Sequence, residues 1–223
     1  GFHRLDMVHR RQQVACEDDI DPGSLPLELA DQMIENVIGT YGLPLGVVTN
    51  VRINGIDRLV PVAVEEPSIV AAASNAAKMV RAGGGFQASS DPPVMIAQIQ
   101  LEDVPDPEAA TQRIQAEAER LASLADTSIP GLVNRGGGCR GFECRDLGEG
   151  LFVVHVLVDC RDAMGANIVN TVAETVGDEV RQLTGGRLGM RILSNLADRR
   201  RVFIEATVPF EALGGEAIAR RVA

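Results

Sequence analysis

Tryptophan is absent from the 223 residues, tyrosine occurs once, and aromatic side chains make up only 3% of the chain. Any core must therefore be built from aliphatic and small side chains, and a hydrophobic content of 45% with 23 glycines allows one. Lysine is almost missing: Lys78 is the single one among 21 basic residues, set against 31 acidic ones. The net charge of −10 excludes a non-specific nucleic-acid binder, which needs a basic footprint, but leaves room for a local basic pocket around an anionic ligand. The three histidines are scattered, and none of the four cysteines (Cys16, Cys139, Cys144, Cys160) stands in Cys-x-x-Cys spacing. No metal site is expected from that pattern, and a reducing, cytoplasmic compartment is. No run of 18 or more apolar residues occurs, so no membrane span is expected, and no signal-peptide pattern is present. The chain opens at Gly1 in mid-pattern, and a longer parent chain is expected.

What is present reads as alternating helices and strands. After a charged start, with a short helix around Leu5 to Val14 and an acidic loop, Leu25 to Ile38 has helical spacing and ends at Gly39. Val47 to Ile53 and Arg58 to Val64 flank Asn54-Gly55, the strongest short hairpin signal. A small-residue helix follows, Ser68 to Ala82, closed by Gly83-Gly84-Gly85, with Pro67 expected at its first turn. The polar Ser89-Ser90-Asp91-Pro92-Pro93 marks a boundary. Beyond it come a strand at Val94 to Leu101, a helix at Pro107 to Ala125, and strands at Cys139 to Leu147 and Leu151 to Asp159. A helix at Ala163 to Thr184, with Ile168, Val172, Val176 and Val180 on one face, and a strand at Leu188 to Leu193 complete the segment. That β-α-β-β-α-β order is the split-βαβ, ferredoxin-like arrangement. A strand at Arg201 to Val208 and a helix at Glu211 to Val222 close the chain.

Several stretches could carry chemistry. Gly136-Gly137-Gly138-Cys139-Arg140-Gly141 fits G-x-G-x-x-G, but a strand follows it, not a helix, so a Rossmann site is rejected and a bend entering a strand is expected. Asp162-Ala163-Met164-Gly165-Ala166-Asn167 leaves a strand and opens a helix, where free backbone N–H groups and the helix dipole favour an anion; read alone, Asp162 is simply the helix cap. Glu65 and Glu66 sit at a strand-to-helix junction and, read alone, cap the helix as well. Ser194-Asn195 reads as a turn. Cys139 has no histidine near it in sequence and reads as a small buried residue, and His155 reads as a packed strand residue.

Four stretches, in order, resemble class II (bacterial-type) 3-hydroxy-3-methylglutaryl-CoA reductases: Glu35-Asn36-Val37-Ile38-Gly39-Thr40, Glu65-Glu66-Pro67-Ser68-Ile69-Val70-Ala71-Ala72-Ala73-Ser74, the Asp162–Asn167 stretch, and Arg191-Ile192-Leu193-Ser194-Asn195-Leu196-Ala197-Asp198. The resemblance covers roughly residues 20 to 223. It implies an α+β fold in which a large domain (1–92 and 199–223) carries an inserted ferredoxin-like cofactor domain (93–198). It implies reduction of hydroxymethylglutaryl-CoA to mevalonate and coenzyme A with two nicotinamide hydrides. Glu66 would be the general acid, working in a dry site. Ser68, Ser194 and Asn195 would contact substrate, and Asp162, Met164, Gly165 and Asn167 the dinucleotide. Asp126 matches the place where NAD-preferring members carry an aspartate, once a gap is allowed; without the gap Ile129 falls there. NAD is therefore expected, with NADP as the alternative. A homodimer or larger homo-oligomer is implied, with the Glu35–Thr40 stretch near its interface. The family also needs a lysine, an aspartate and a flap histidine from a later segment. A catalytically incomplete dimerising or nucleotide-binding module is thus the competing expectation.

Overall fold

A computed structural model describes residues 25–222. The expected Leu5–Val14 helix, the acidic loop and Cys16 lie outside the described residues. Two units divide the chain: the described residues up to Ala88 with Ile204 onward form one, and Ser89–Phe203 the other.

The first unit is organised on a hairpin. β1 (Leu45–Ile53) and β2 (Ile56–Ala63) pair antiparallel and close at Ile53↔Ile56. Asn54 and Gly55 both hold positive φ, 50° and 79°, as a tight two-residue hairpin requires. The Asn54 carboxamide then donates to the Ala88 carbonyl (2.9 Å) and accepts from the Ala88 N–H (2.8 Å). That pins the turn to β3 (Phe86–Ser90), and the sheet order is β2-β1-β3-β8, with β8 at Val202–Ala206. The helix α2 (Ile69–Ala82) lies on β1, where Gly46 makes room for Val70: a Cβ on Gly46 would stand 3.0 Å from Val70 Cγ2. A small buried cluster of Val48, Val51 and Ala77 lies here, edged by Ile53, Val62, Val70 and Phe86.

Two expected helices are shorter than their periodicity suggests. α1 spans Leu27–Met33 and stops at an extended Ile34, and Asn36 takes a left-handed φ of 57°. Leu29, Met33, Ile34 and Ile38 are exposed, so the apolar stripe of the longer helix has nothing to pack on among the described residues, and short helices need such packing. The final helix is split by Gly214 and Gly215, both at positive φ, into a 3₁₀ turn (Phe210–Leu213) and α7 (Glu216–Val222).

The second unit is a four-stranded antiparallel sheet of β4 (Val94–Glu102), β5 (Gly138–Gly148), β6 (Leu151–Asp159) and β7 (Arg187–Leu193), in the order β5-β6-β4-β7. The helices are α3 (Pro107–Ala116), α4 (Ala118–Thr127), the short α5 (Pro130–Val133) and α6 (Ala166–Thr184). The single helix expected at Pro107–Ala125 is thus two, bent at Glu117, whose ψ of 8° leaves the helical region. Asp106 caps α3 by accepting the Ala109 N–H at 2.9 Å, ahead of Pro107. The core is continuous: Ala97, Ile99, Leu101, Phe152, Val154, Val156 and Val158 from the sheet meet Ile114, Leu121, Val169, Val172, Val176 and Val180 from the helices. Val169 enters this core fully, whereas Ile168 packs at its edge.

Ile99, with no exposed surface, tests where stability resides. Ile99→Ala should destabilise the second unit by about 2–5 kcal/mol, read as an earlier denaturant midpoint by circular dichroism. An unchanged midpoint would contradict this core assignment.

Candidate functional site

Each unit carries a cleft where a strand hands over to a helix. In the first unit it follows β2 and measures about 610 Å³. Glu65, Glu66, Pro67 and Ser68 form one wall, and Thr49, Val70 and Ser74 line the floor. The helix does not start at Pro67 as expected. Its cap is Ser68, in a left-handed conformation (φ 72°), whose carbonyl accepts the Ala72 N–H while its hydroxyl caps nothing. A left-handed non-glycine residue stores roughly 1–3 kcal/mol of strain, and here it leaves a hydroxyl free at the cleft. The floor is polar and fully partnered. Ser74 Oγ donates to the Val70 carbonyl (2.7 Å) and accepts the Thr49 N–H (3.1 Å), and Asn50 Nδ2 donates to the Ser74 carbonyl (3.2 Å). A bulge in β1 between Val48 and Val51, with Asn50 left-handed at 66°, makes these contacts. The sequence marks that bulge only by Asn50 amid β-type residues. Glu65 and Glu66 are exposed and have no ion pair or hydrogen bond with described residues. The described residues do not form the dry setting expected for Glu66.

In the second unit the cleft lies between α5 and the turn leaving β6, about 490 Å³, lined by Ser128, Ile129, Leu132, Arg135, Arg161, Asp162 and Ile168. Asp159, the last residue of β6 and only 5% exposed, organises its back. One carboxylate oxygen accepts the Arg161 N–H (3.0 Å) and the other the Arg140 guanidinium (3.0 Å), which also donates to the Gly136 carbonyl (2.8 Å). Burial alone would raise the Asp159 pKa, but these bonds and the two arginine charges outweigh it and hold the carboxyl below its ordinary value. Gly136–Gly138 is a bend entering β5, as expected. Asp126 does not line the cleft: its carboxylate accepts the Cys139 N–H (2.8 Å) and packs on Gly138, where a Cβ would come within 2.8 Å of it.

The helix after the turn starts at Ala166, three residues later than expected, with Gly165 and not Asp162 at its cap. Arg161, left-handed at φ 53°, lies in the turn that precedes it. Gly165 is buried at φ 94°, and a Cβ there would stand 2.7 Å from Cys160 Sγ, so its glycine serves packing against Cys160. Asp162, Met164 (72% exposed) and Asn167 face solvent around the helix start. Ser194 Oγ accepts the Leu196 N–H (3.1 Å), the expected turn, while Asn195 is exposed. Asn170 was not foreseen from sequence: one turn into α6, its carbonyl oxygen accepts the Leu193 N–H (2.8 Å), tying the Ser194 turn to that helix.

Other candidates fall away. Burial pushes the Cys139, Cys144 and Cys160 thiols up, which disfavours a thiolate nucleophile. His155 is buried with Nδ1 unpartnered, and burial, with Arg145 beside it, lowers its pKa and favours neutral imidazole. Among the described residues no His, Cys, Asp and Glu group could hold a metal ion, and no helix is long and apolar enough to cross a membrane.

A family model described as hydroxymethylglutaryl-coenzyme A reductase matches residues 2–223. The 3-hydroxy-3-methylglutaryl-coenzyme A reductase of Archaeoglobus fulgidus is 42% identical, over 98% of this chain and 52% of that protein. A probable enzyme of the same name from Borreliella burgdorferi is 32% identical, over 87% of this chain and 46% of that one. The chain spans about half the length of the curated relatives it matches. Among solved structures, the class II reductase of Streptococcus pneumoniae bound to NADPH superposes with a TM-score of 0.80 at 40% identity, covering 84% of this chain and 51% of that one.

Because the Asp159 carboxyl is held below its ordinary value, its contribution to stability is complete above about pH 4 and fades as pH falls through the lower folded value. Asp159→Asn should therefore cost about 1–3 kcal/mol at pH 7, with the gap to wild type narrowing below about pH 4 in denaturant titrations. A gap independent of pH would refute the ionic role.

Proposed function

This chain belongs to the hydroxymethylglutaryl-coenzyme A reductase family, and from that premise we propose that it forms part of an enzyme that interconverts hydroxymethylglutaryl-CoA and mevalonate plus coenzyme A by two hydride transfers. The observation that carries this reading is the pair of strand-to-helix clefts, each lined by one of the family-like stretches.

The second unit is read as an inserted ferredoxin-like domain (93–198) serving the dinucleotide, within a larger substrate domain (1–92 and 199–223). Its strand order supports that reading, since the two strands that each precede a helix are the central pair. The donor set suits a dinucleotide. Arg135 and Arg161 stand on a cleft beside the start of a 19-residue helix, where unpaired N–H groups and positive dipole favour phosphate. Asp162, Met164, Gly165 and Asn167 would frame it. When bound, a reduced nicotinamide supplies the hydride in each step. The two arginines favour the extra phosphate of NADP(H), and Asp126, already engaged by Cys139, is poorly placed to repel it. NADP(H) is accordingly read as the preferred form over the NAD expected from sequence.

The residues of the first cleft act on the thioester. Ser68, with its free hydroxyl, is read as a substrate contact of this cleft; Ser194 and Asn195 are read as substrate contacts of the second unit. Each hydride addition leaves negative charge on the carbonyl oxygen, and Glu66 gives that oxygen a proton. Because Glu66 is exposed here, the water-poor setting this role needs comes from substrate filling the cleft. Exposed Ile56, Leu59 and Val60 on β2 support burial against further protein, read as a homo-oligomer. Cys139, Cys144 and Cys160 are all free, which supports a cytoplasmic location.

In the complete native chain, Glu66→Gln should lower turnover about 10²–10⁴-fold while leaving dinucleotide affinity and fold unchanged, checked by steady-state kinetics, NADPH titration and melting. Wild-type turnover would remove Glu66 from the mechanism. Dinucleotide binding without turnover in the wild-type complete chain would instead favour a nucleotide-binding module.

A further inference from the structure

Three consecutive arginines follow the Ser194 turn, and each binds a different part of the second unit. Arg199 donates to Glu143 of β5 at 2.6 Å. Arg201 donates to Asp91 through Nε (2.8 Å) and its backbone N–H (3.3 Å), while the Asp91 N–H donates back to the Arg201 carbonyl (2.9 Å). Between these anchors, the Arg200 guanidinium spans two carbonyls, Ala163 at 3.2 Å and Arg161 at 3.4 Å. Those carbonyls bracket Asp162, in a turn that holds left-handed residues at both Arg161 and Gly165. Gly165 adopts that conformation readily, but Arg161 persists in it only where its surroundings over-determine it. Asp159 fixes it from the strand side through the Arg161 N–H, and Arg200 from the other.

We propose that Arg200 is a positioning residue that locks the 161–165 turn to the Ser194–Asn195 turn, so that the dinucleotide and thioester contacts of the second unit are ordered together. The inference rests on the reductase reading above. The geometry suits arginine: a rigid planar fork presents separate donors to the two carbonyls, whereas a lysine ammonium offers all its donors from one atom on a flexible stem. A second tie runs parallel, since the Leu193 N–H is held by Asn170 of α6 and the Ser194 N–H by the Ile96 carbonyl (2.9 Å). Arg200 is therefore the adjustable member of a fixed frame, and losing it frees the 161–165 turn without unseating Ser194.

The test uses the complete native chain with NADPH and hydroxymethylglutaryl-CoA, measuring each affinity alone and in the presence of the other. If binding of one ligand orders the shared frame, each enhances the other by an equal factor, typically about fivefold or more. Arg200→Met should weaken NADPH binding about tenfold, the loss expected for one charge-assisted hydrogen bond, and bring the mutual enhancement close to one. It should leave thioester affinity alone within about twofold and the melting temperature unchanged. Arg200→Lys should fall between, keeping the charge but not the fork, and Arg120→Met, a surface ion-pair residue on α4, should behave as wild type. Wild-type affinities and enhancement in Arg200→Met would overturn the proposal. If Arg200→Met fails to fold, Arg200→Lys decides: retained folding with reduced enhancement supports it, and wild-type enhancement overturns it. A wild-type chain that binds no NADPH would overturn the reductase reading, and this inference with it.

Discussion

A buried carboxylate at the end of a central strand holds the second unit's functional end together. Asp159 takes the Arg140 guanidinium with one oxygen and the Arg161 N–H with the other. The first contact closes the glycine-rich bend onto β6, and the second sets the turn that precedes α6. A charge this far from solvent is tolerated because every lone pair in use meets a donor and two arginines offset it. The cleft wall, the start of the helix and the anchoring of Arg200 all follow from the position of that one side chain.

The two units are stabilised in different ways. In the second, one sheet face and four helices enclose a continuous, mainly aliphatic core that holds together without a single tryptophan. In the first, Val48, Val51 and Ala77 form a small buried cluster, and its edge strand β2 is exposed along most of its length. Its definition comes from polar clamps: the Thr49–Asn50 bulge on Ser74 and the bidentate ion pair of Arg81 with Asp57. Such clamps fix geometry more than they add stability, since exposed ion pairs contribute little. Glu66 and Ser68 thus sit on the less buried of the two scaffolds.

Much of this was legible beforehand. The hairpin at Asn54-Gly55, the strand and helix order of the second unit and the rejection of the glycine motif follow from periodicity and turn chemistry. Elements whose limits depend on packing were not legible. The helix from Leu25 lost its last turn because its stripe meets no core, and the break at Glu117 has no glycine or proline to announce it. At the candidate site, the stretches around Glu66 and Asp162 stood out because local residue types carry the signal. Asp159, Asn170 and Arg200 did not, because their partners lie 19, 23 and 37 residues away and no spacing rule links them. The left-handed Ser68 was hidden for another reason: proline before it suggested an ordinary helix start.

The Asn54 side chain, which pins the hairpin turn to β3, also bears on chemical ageing. An asparagine followed by glycine is the sequence most prone to deamidation, because the unhindered glycine nitrogen can attack the side-chain carbonyl and close a succinimide. Here the carboxamide is held by two bonds to Ala88 and turned towards β3. Ring closure needs both bonds broken, so the turn is protected while the hairpin stays docked and becomes vulnerable when it opens. Once converted to aspartate the residue loses its donor to the Ala88 carbonyl, so a single opening followed by reaction makes the next opening easier.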